Sequence, residues 1–159
     1  MATLSELLRG RTALPDPDVE WLHLLVGDWQ LIADLSFADL LLYVPGNADT
    51  WYVVAHVRPA TGQTIYHYDY VGTAAAGQEV PLLGKAYNSA EICEGEIAVE
   101  SVPDPVRMMA VPVRLGSKVL AVLTRAGWNR KGAPVFIQSF ETANLRYLRS
   151  RTPLPLIQL

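Results

Sequence analysis

The sequence predicts an α+β fold: an antiparallel central sheet of about five to six strands, flanked by N- and C-terminal helices that lie mainly on one face. The main observation is the order of hydrophobic periods, because helical, strand-like, irregular, strand-like and helical segments follow one another. Length is the second, since 159 residues are enough for one domain with its own core. We therefore expect one domain over residues 1–150, with residues 151–159 as a tail or the start of a linker.

The first long helix is predicted over residues 17–34. Asp16 and Pro17 are typical of a helix start, and apolar residues then recur at steps of three and four: Val19, Leu22, Val26, Trp29 and Ala33. Trp21 and Leu25 make this apolar side wider than one sheet face can cover. This width predicts a homodimer whose interface includes Trp21, Leu25 and Trp29.

Four strand-like runs follow the helix. Residues 37–44 and 51–58 are separated by a turn-forming segment rich in Pro, Gly and Asn, and they predict a hairpin. Residues 105–115 and 118–124 flank Gly116-Ser117, a connection typical of a two-residue type II′ turn with Gly first. The sequence thus predicts two hairpins on either side of an irregular middle segment.

The sequence also predicts a central strand, an irregular proline position and two further helices. Residues 119–123 are apolar on both sides of the pleat, which predicts a central strand. Pro112 cannot donate a hydrogen bond to a neighbouring strand, so we expect it at an edge-facing site or a bulge. Pro81 opens a predicted short helix in the middle segment, and a last helix is predicted around residues 139–149.

The segment between the hairpins is dense in Arg, His, Tyr and Asp. Such residues offer a cation, aromatic faces and hydrogen-bonding groups on loops beside a sheet, and they predict a ligand site formed by Arg58, His67, Tyr68, Asp69 and Tyr87. A structural role is the alternative reading. Arg58 can pair with an acidic residue of the fold, and His67 and Asp69 can bond the backbone of their own loop.

The two other histidines favour simpler roles. His23 falls on the polar side of the first helix and is interpreted as solvated. His56 lies in a strand-like run and is interpreted as a satisfied structural histidine or a polar residue of the sheet surface. Neither belongs to the predicted ligand site.

Composition and charge argue against several classes of protein. A formal net charge of -3 without clustered Lys and Arg disfavours direct binding to nucleic acid. No uncharged apolar stretch of about 18 residues occurs, so we expect no membrane span. The N-terminus lacks the apolar core of a signal peptide and the single Cys93 cannot form an intrachain disulfide, which predicts a cytoplasmic protein.

Catalytic and metal-binding patterns are not evident in the sequence. It shows no paired carboxylates and no matched nucleophile, base and oxyanion donors. Cys93 has no His or Cys at metal-ligand spacing. We therefore expect no enzyme activity from this chain alone, and the sequence requires no cofactor or metal.

Several motifs, in order, carry a family resemblance: GDWQLIADLSFADLLLYV at 27–44, VRPATGQT at 57–64, HYDYVGT at 67–73, VPLLGKAY at 80–87 and VPVRLGSKVLAVLTR at 111–125. Together they resemble the N-terminal GAF domain of a group of actinobacterial cytosolic sensor histidine kinases. The resemblance covers most of residues 1–130. It implies a GAF-like sheet and a regulatory role in a two-component system. It also implies downstream PAS and kinase domains as partners, and phosphotransfer from the kinase core to a cognate response regulator.

Two functions remain open at this point. In the first, a small-molecule signal binds between the sheet and residues 60–95 and shifts the population of two helix arrangements. In the second, the domain is an unliganded dimerisation module, its pocket filled by Tyr66, Tyr68 and Tyr87. The sequence names no ligand for the first function.

Overall fold

A computed structural model describes residues 11–60 and 64–127, together with residues 6, 8, 137–139, 143, 146, 149, 150 and 156–158. Within these residues the helices are α1 (Asp16–Val26), α2 (Trp29–Ser36) and α3 (Glu79–Ser89). The long strands are β1 (Ala38–Pro45), β2 (Trp51–Val57), β3 (Cys93–Ile97), β4 (Val106–Leu115) and β5 (Lys118–Gly127). Two short strands, β6 (Ile137–Ser139) and β7 (Leu156–Gln158), pair in parallel.

The five long strands form one antiparallel sheet in the order β2-β1-β5-β4-β3. This architecture confirms the predicted α+β class and the central antiparallel sheet. β5 is the middle strand, and Leu120, Ala121 and Val122 are fully buried in it. A strand covered on both faces needs apolar side chains on both, which is the pattern that the sequence shows.

Both predicted hairpins are present. β4 and β5 are joined through Gly116, whose φ of +62° suits a turn with Gly first, and Leu115 pairs with Lys118 across it. Pro112 lies beyond the last pair between β3 and β4, which joins Cys93 to Ala110. The β4–β5 register shifts just after Pro112, between Val113 and Arg114. Pro112 therefore lies where the neighbouring strand has ended and next to a bulge, as expected.

The predicted helix over 17–34 is in fact two helices, so the single long helix is wrong. α1 ends at Val26, and α2 begins at Trp29 after Gly27 and Asp28. The apolar stripe itself is confirmed, because the core buries Val19, Leu22, Trp29 and Ala33. These residues pack on the sheet face that carries Leu40, Leu42, Val44, Val54 and Leu120, here named the α1–α2 face.

The opposite side of the sheet, the α3 face, carries Leu41, Tyr43, Val53, Met108 and Val122. α3 packs there through Leu83 and Ala86. Helices therefore cover both faces, and the expectation of helices mainly on one face is wrong. The reason is that residues between β2 and β3 carry enough apolar side chains to build a second layer. Most of the predicted last helix, 139–149, lies outside the described residues, although residues 143 and 146 are helical.

A bulge in the β1–β2 pair decides which residues of β2 face α3. Leu42 pairs with Ala55 while Tyr43 pairs with Val53, so Val54 is the extra residue. Side chains alternate between faces along a strand, and one extra residue reverses the alternation beyond it. As a result Val53 and His56 lie on the α3 face, whereas Val54 and Ala55 pack on the α1–α2 face.

None of the helices within the described residues has the length and apolar character needed to cross a membrane.

Gly127 of β5 lies so close to the start of β1 that we expect a side chain not to fit there. A Cβ there would lie 2.6 Å from both the Phe37 carbonyl oxygen and Ala38 Cβ. We expect Gly127→Ala to lower the free energy of unfolding by roughly 1–3 kcal/mol, because backbone must move. Gly84→Ala is the matched control: its Cβ would meet no atom within 4 Å, and Ala in a helix interior should stabilise by about 0.5–1 kcal/mol. Urea unfolding compares them, and equal effects would contradict the close approach.

Candidate functional site

A cavity of about 190 Å³ lies on the α3 face of the sheet. Tyr43, Val53 and Tyr66 are among its lining residues and are buried, forming its floor. Ala98 and Glu100 also line it and are exposed, forming its rim. The cavity therefore has a buried floor and an opening to solvent, a concave shape that a small molecule could enter.

A carboxylate and two phenols form the polar centre of this cavity. Tyr43 donates a hydrogen bond from its hydroxyl to Glu79 Oε2 at 3.0 Å, and Tyr66 donates one to Glu79 Oε1 at 3.3 Å. Tyr43 reaches the cavity from β1, Tyr66 from the segment after β2, and Glu79 from the first residue of α3. The three residues thus join elements that are far apart in the chain.

Burial shifts the pKa of all three groups. Desolvation raises the pKa of Tyr43 and Tyr66, and the negative charge of Glu79 raises both further. The phenols consequently stay protonated and act as donors. Desolvation also raises the pKa of Glu79, although the two phenol hydrogen bonds lower it in part. Glu79 is therefore a carboxylate whose charged form depends on these two donors.

Asp39 holds the segment that carries Tyr66. This side chain is fully buried on β1. Its Oδ1 accepts a hydrogen bond from Thr64 Oγ1 at 2.5 Å, and its Oδ2 accepts one from the Ile65 N–H at 2.6 Å. Ser101 Oγ donates to the Ile65 carbonyl oxygen at 2.5 Å. Both sides of residue 65 are thus fixed, and this places the Tyr66 ring in the cavity floor.

His56 lies behind the tyrosines of the cavity. Its side chain is 2% exposed, and its Nε2 is 3.7 Å from Asp39 Oδ1. The imidazole packs edge-on against the rings of Tyr66 and Tyr70, at centroid distances of 5.9 and 6.1 Å. Its Nε2 has no hydrogen-bond partner among the described residues. The interpretation of His56 as a satisfied histidine therefore does not hold for Nε2, whereas the alternative, a polar residue on a face of the sheet, agrees with its position on the α3 face, to which the β1–β2 bulge turns it. His23 is exposed, as expected.

The cavity is not lined by any of the five residues predicted to bind a ligand: Arg58, His67, Tyr68, Asp69 and Tyr87. His67, Tyr68 and Asp69 point to solvent, and Tyr68 is 75% exposed. Asp69 Oδ1 accepts a hydrogen bond from the Val71 N–H at 3.0 Å, which is the loop-stabilising alternative. Ligand contact by these residues stays a prediction, on a surface outside the cavity.

Arg58 and Tyr87 have structural surroundings of their own. Arg58 is half-buried, and its Nε lacks a hydrogen-bond partner among the described residues. Tyr87 packs edge-on against Trp51 at a centroid distance of 5.4 Å. Of the three tyrosines expected to fill the pocket in the dimerisation reading, only Tyr66 lines the cavity.

Three residues that line the cavity, Tyr43, Tyr70 and Glu79, are not among the site residues that the sequence predicts. Tyr43 lies within an apolar strand and has the pattern of a core residue. Glu79 lies two residues before Pro81, so it has the pattern of an ordinary carboxylate in the first turn of a helix. The only sequence signal for these residues is that Tyr43 and Glu79 occur in the same chain as the Tyr-rich loop. That signal points to a site only once the fold is known to bring the three segments together.

The residues predicted for dimerisation are only partly accessible. Trp29 is 2% exposed and belongs to the core of its own chain, so it offers no surface to a partner. Trp21 and Leu25 are half-buried against the same core. The exposed apolar residues of α1 and α2 are instead Leu24, Leu31, Ile32 and Leu35. Dimerisation itself stays a prediction.

Comparison with known proteins identifies the family. Residues 4–132 match the family described as the GAF domain of the histidine kinase PdtaS. The chain belongs to this PdtaS GAF-domain family. The membership confirms the resemblance to the GAF domain of sensor histidine kinases that the motifs carried.

Curated relatives agree with this assignment. The chain is 41% identical over 128 residues to the sensor histidine kinase PdtaS of Mycobacterium tuberculosis, covering 79% of this chain and 26% of that protein. It is 39% identical over 127 residues to PdtaS of Mycolicibacterium smegmatis, covering 78% and 26%. The chain thus spans about a quarter of the length of the curated relatives it matches.

A solved structure described as the sensor region of a sensor histidine kinase superposes with a TM-score of 0.62. Its sequence identity is 39%, and the match covers 80% of this chain and 43% of that one. The fold and the family assignment therefore agree.

The part of this PdtaS-type GAF domain that the structure describes contains no group of three His, Cys, Asp or Glu side chains arranged to hold a metal ion. Cys93 is buried with a free thiol, and its Sγ lies 3.7 Å from the Glu91 carbonyl oxygen.

The raised pKa of Glu79 has a consequence for stability. The folded state holds this proton more tightly than the unfolded chain, so wild-type stability should fall as pH rises from the ordinary value of 4.5 through the folded pKa. We expect the free energy of unfolding of Glu79→Gln, minus that of wild type, to increase over this window. Denaturation at a series of pH values measures it, with exposed Glu91→Gln as the matched control. A difference that falls with pH would contradict the assignment.

Proposed function

We propose that this chain is the regulatory sensor domain of a cytoplasmic two-component histidine kinase, and that a small molecule bound in the cavity around Glu79 regulates the kinase. In the full-length protein its partners are the downstream PAS and kinase domains, and the kinase core transfers a phosphoryl group to a cognate response regulator. The domain itself needs neither a membrane nor nucleic acid. The family, whose named relatives are sensor histidine kinases, supports the regulatory role.

The cavity is the observation that carries the ligand-binding part of the proposal. A core that serves only stability gains from complete apolar packing, because voids and buried polar groups both cost free energy. Here about 190 Å³ is left open beside a carboxylate and two phenols that are hydrogen-bonded to one another. Polar groups that are held in place around an open space are typical of a recognition site.

Strand β1 supplies a physical connection from the cavity to the helices. Tyr43 faces the cavity, whereas its neighbours Leu42 and Val44 pack on the α1–α2 face. A ligand that binds one arrangement of Tyr43 and Glu79 more tightly than another shifts the population of the two arrangements by that difference in affinity. A change in β1 then alters how α1 and α2 pack on the sheet. The outer sides of these two helices are available for contact with further domains or with a second copy of the chain.

Blocking the cavity tests this function. Ala98 is an exposed rim residue, and Ala98→Trp is expected to fill the opening with an indole. Ala13→Trp makes the same change at an exposed residue outside the cavity and is the matched control. Metabolites that raise the melting temperature of wild type should lose this effect in Ala98→Trp and keep it in Ala13→Trp. Equal binding to both variants would place the ligand elsewhere and overturn the proposed site.

Dimerisation is the second candidate function, and the exposed residues of α1 and α2 favour it. Leu24, Leu31 and Leu35 are 71, 66 and 73% exposed, which leaves three leucines in solvent on two adjacent helices. Exposed apolar patches of this kind mark association surfaces. In this reading Trp21 and Leu25, which are half-buried against the core, contribute only their exposed parts to the interface, and Trp29 belongs to the core beneath α2.

Sedimentation equilibrium measures this candidate. The double variant Leu31→Glu/Leu35→Glu is expected to convert a dimer into monomer, since carboxylates at an apolar interface lose their hydration. Ile92→Glu is the control, because Ile92 is 60% exposed but precedes β3, outside α1 and α2. A wild-type protein that is monomeric at tens of micromolar, or a double variant that dimerises as wild type does, would exclude this interface.

A further inference from the structure

The charged side chains that line the cavity are all acidic. Glu79 and Glu100 line it, and no described lining residue is Lys, Arg or His. Asp39 adds negative charge close enough to raise the pKa of Tyr66. The imidazole of His56 lies behind the rings of Tyr66 and Tyr70, within 4.0 Å of carboxylate oxygens of Asp39 and Asp69. The potential inside the cavity therefore favours a positive charge.

The phenol donors at the floor are already used, whereas acceptor positions remain there. The hydroxyl hydrogens of Tyr43 and Tyr66 are both committed to Glu79, and that of Thr73 is committed to the Tyr70 carbonyl oxygen. A carboxylate has about four acceptor positions and a phenol oxygen can also accept, so acceptor capacity is left over while these side-chain donors are used. The complementary ligand is one that donates hydrogen bonds.

Aromatic rings complete the walls. Tyr66 and Tyr70 both line the cavity, and their rings meet at 74° with centroids 5.2 Å apart. Two rings at this angle form a corner, and the electron-rich face of a phenol attracts a cation within about 6 Å. A neutral donor would use the acceptors and could pack on the rings, but it would lack the attraction of a cation to the ring faces and to the negative charge.

We propose that the ligand of this site is a small organic cation with N–H donors, an ammonium or a guanidinium, seated between Glu79 and the Tyr66–Tyr70 corner. This inference rests on the proposed function, since it names the chemistry of the same cavity. The volume of about 190 Å³ equals that of roughly six waters in the liquid, so the buried part of the ligand is small. The ammonium replaces solvent as the partner of the Glu79 carboxylate, and the rings of Tyr66 and Tyr70 cover its carbon atoms.

Isosteric probes of different charge test the ligand class. Butylammonium and methylguanidinium are titrated into the purified domain by calorimetry, with butan-1-ol as the neutral and butyrate as the anionic counterpart. Both cations are expected to bind and to raise the melting temperature, whereas butan-1-ol and butyrate are not. Equal or tighter binding of the alcohol or the carboxylate, or no binding by either cation, would overturn the proposal.

Variants locate the bound cation. Glu79→Gln is expected to weaken butylammonium binding roughly tenfold or more, the scale of a charged hydrogen bond, while exposed Glu91→Gln leaves it unchanged. Tyr70→Phe keeps the ring and should bind nearly as wild type, whereas Tyr70→Leu removes the ring and should bind several-fold more weakly. This pair keeps the proposal falsifiable if Glu79→Gln fails to fold. An affinity for butylammonium that neither Glu79→Gln nor Tyr70→Leu changes would also overturn the proposal.

The two proposals fail in different ways. If a neutral or anionic metabolite binds wild type and Ala98→Trp abolishes that binding, the cavity is still a sensor site and only the cationic class is wrong. If no compound of any charge binds in a manner sensitive to Ala98→Trp, the ligand-binding function of the cavity is wrong as well.

Discussion

A buried carboxylate on β1 organises the site of this domain. Asp39 has no exposed surface, and its two oxygens hold the hydroxyl of Thr64 and the N–H of Ile65. A carboxylate in such a position costs several kcal/mol unless hydrogen bonds satisfy it, so the segment after β2 has few alternatives to this path. Ile65 and Tyr66 are consequently buried against the sheet. The floor of the cavity, and the position of Tyr66 against Glu79, follow from that attachment.

The cavity and the outer helices share one strand. Side chains of β1 alternate, so Asp39, Leu41 and Tyr43 serve the α3 face while Leu40, Leu42 and Val44 serve the α1–α2 face. Tyr43 is also tied through Glu79 to the first residue of α3. Packed interfaces respond as discrete arrangements and not as a continuous medium, so a contact made in the cavity has a short path to the opposite helical layer. This geometry suits a member of a family named for sensor histidine kinases.

The segment between β2 and α3 shows what sequence patterns can and cannot predict about the cavity. The Tyr-rich segment at 66–70 contributes Tyr66 and Tyr70 to the cavity, but none of its residues that the sequence predicts as ligand contacts, His67, Tyr68 and Asp69, lines it. The side chains of these three residues point outward. An irregular segment has no period from which the inward and outward residues can be read, and the direction of each side chain is set by anchors such as Asp39. Glu79 was missed because a carboxylate in the first turn of a helix is ordinary until three segments converge around it.

The sequence by itself determined the sheet, its hairpins and the family. Residues 119–123 are apolar on both faces of the strand, and burial of both faces requires a central strand. Gly116-Ser117 closes a tight hairpin. The ordered motifs identify a GAF domain. Only the tertiary structure decided the break at Gly27 and Asp28, since the apolar stripe continues across it and both helices bury their part of the stripe on the same sheet face. The same holds for the extra residue Val54, which turns His56 toward Asp39 and the tyrosines. Strand register depends on pairing with β1, and no local pattern within β2 reports where that pairing slips by one residue.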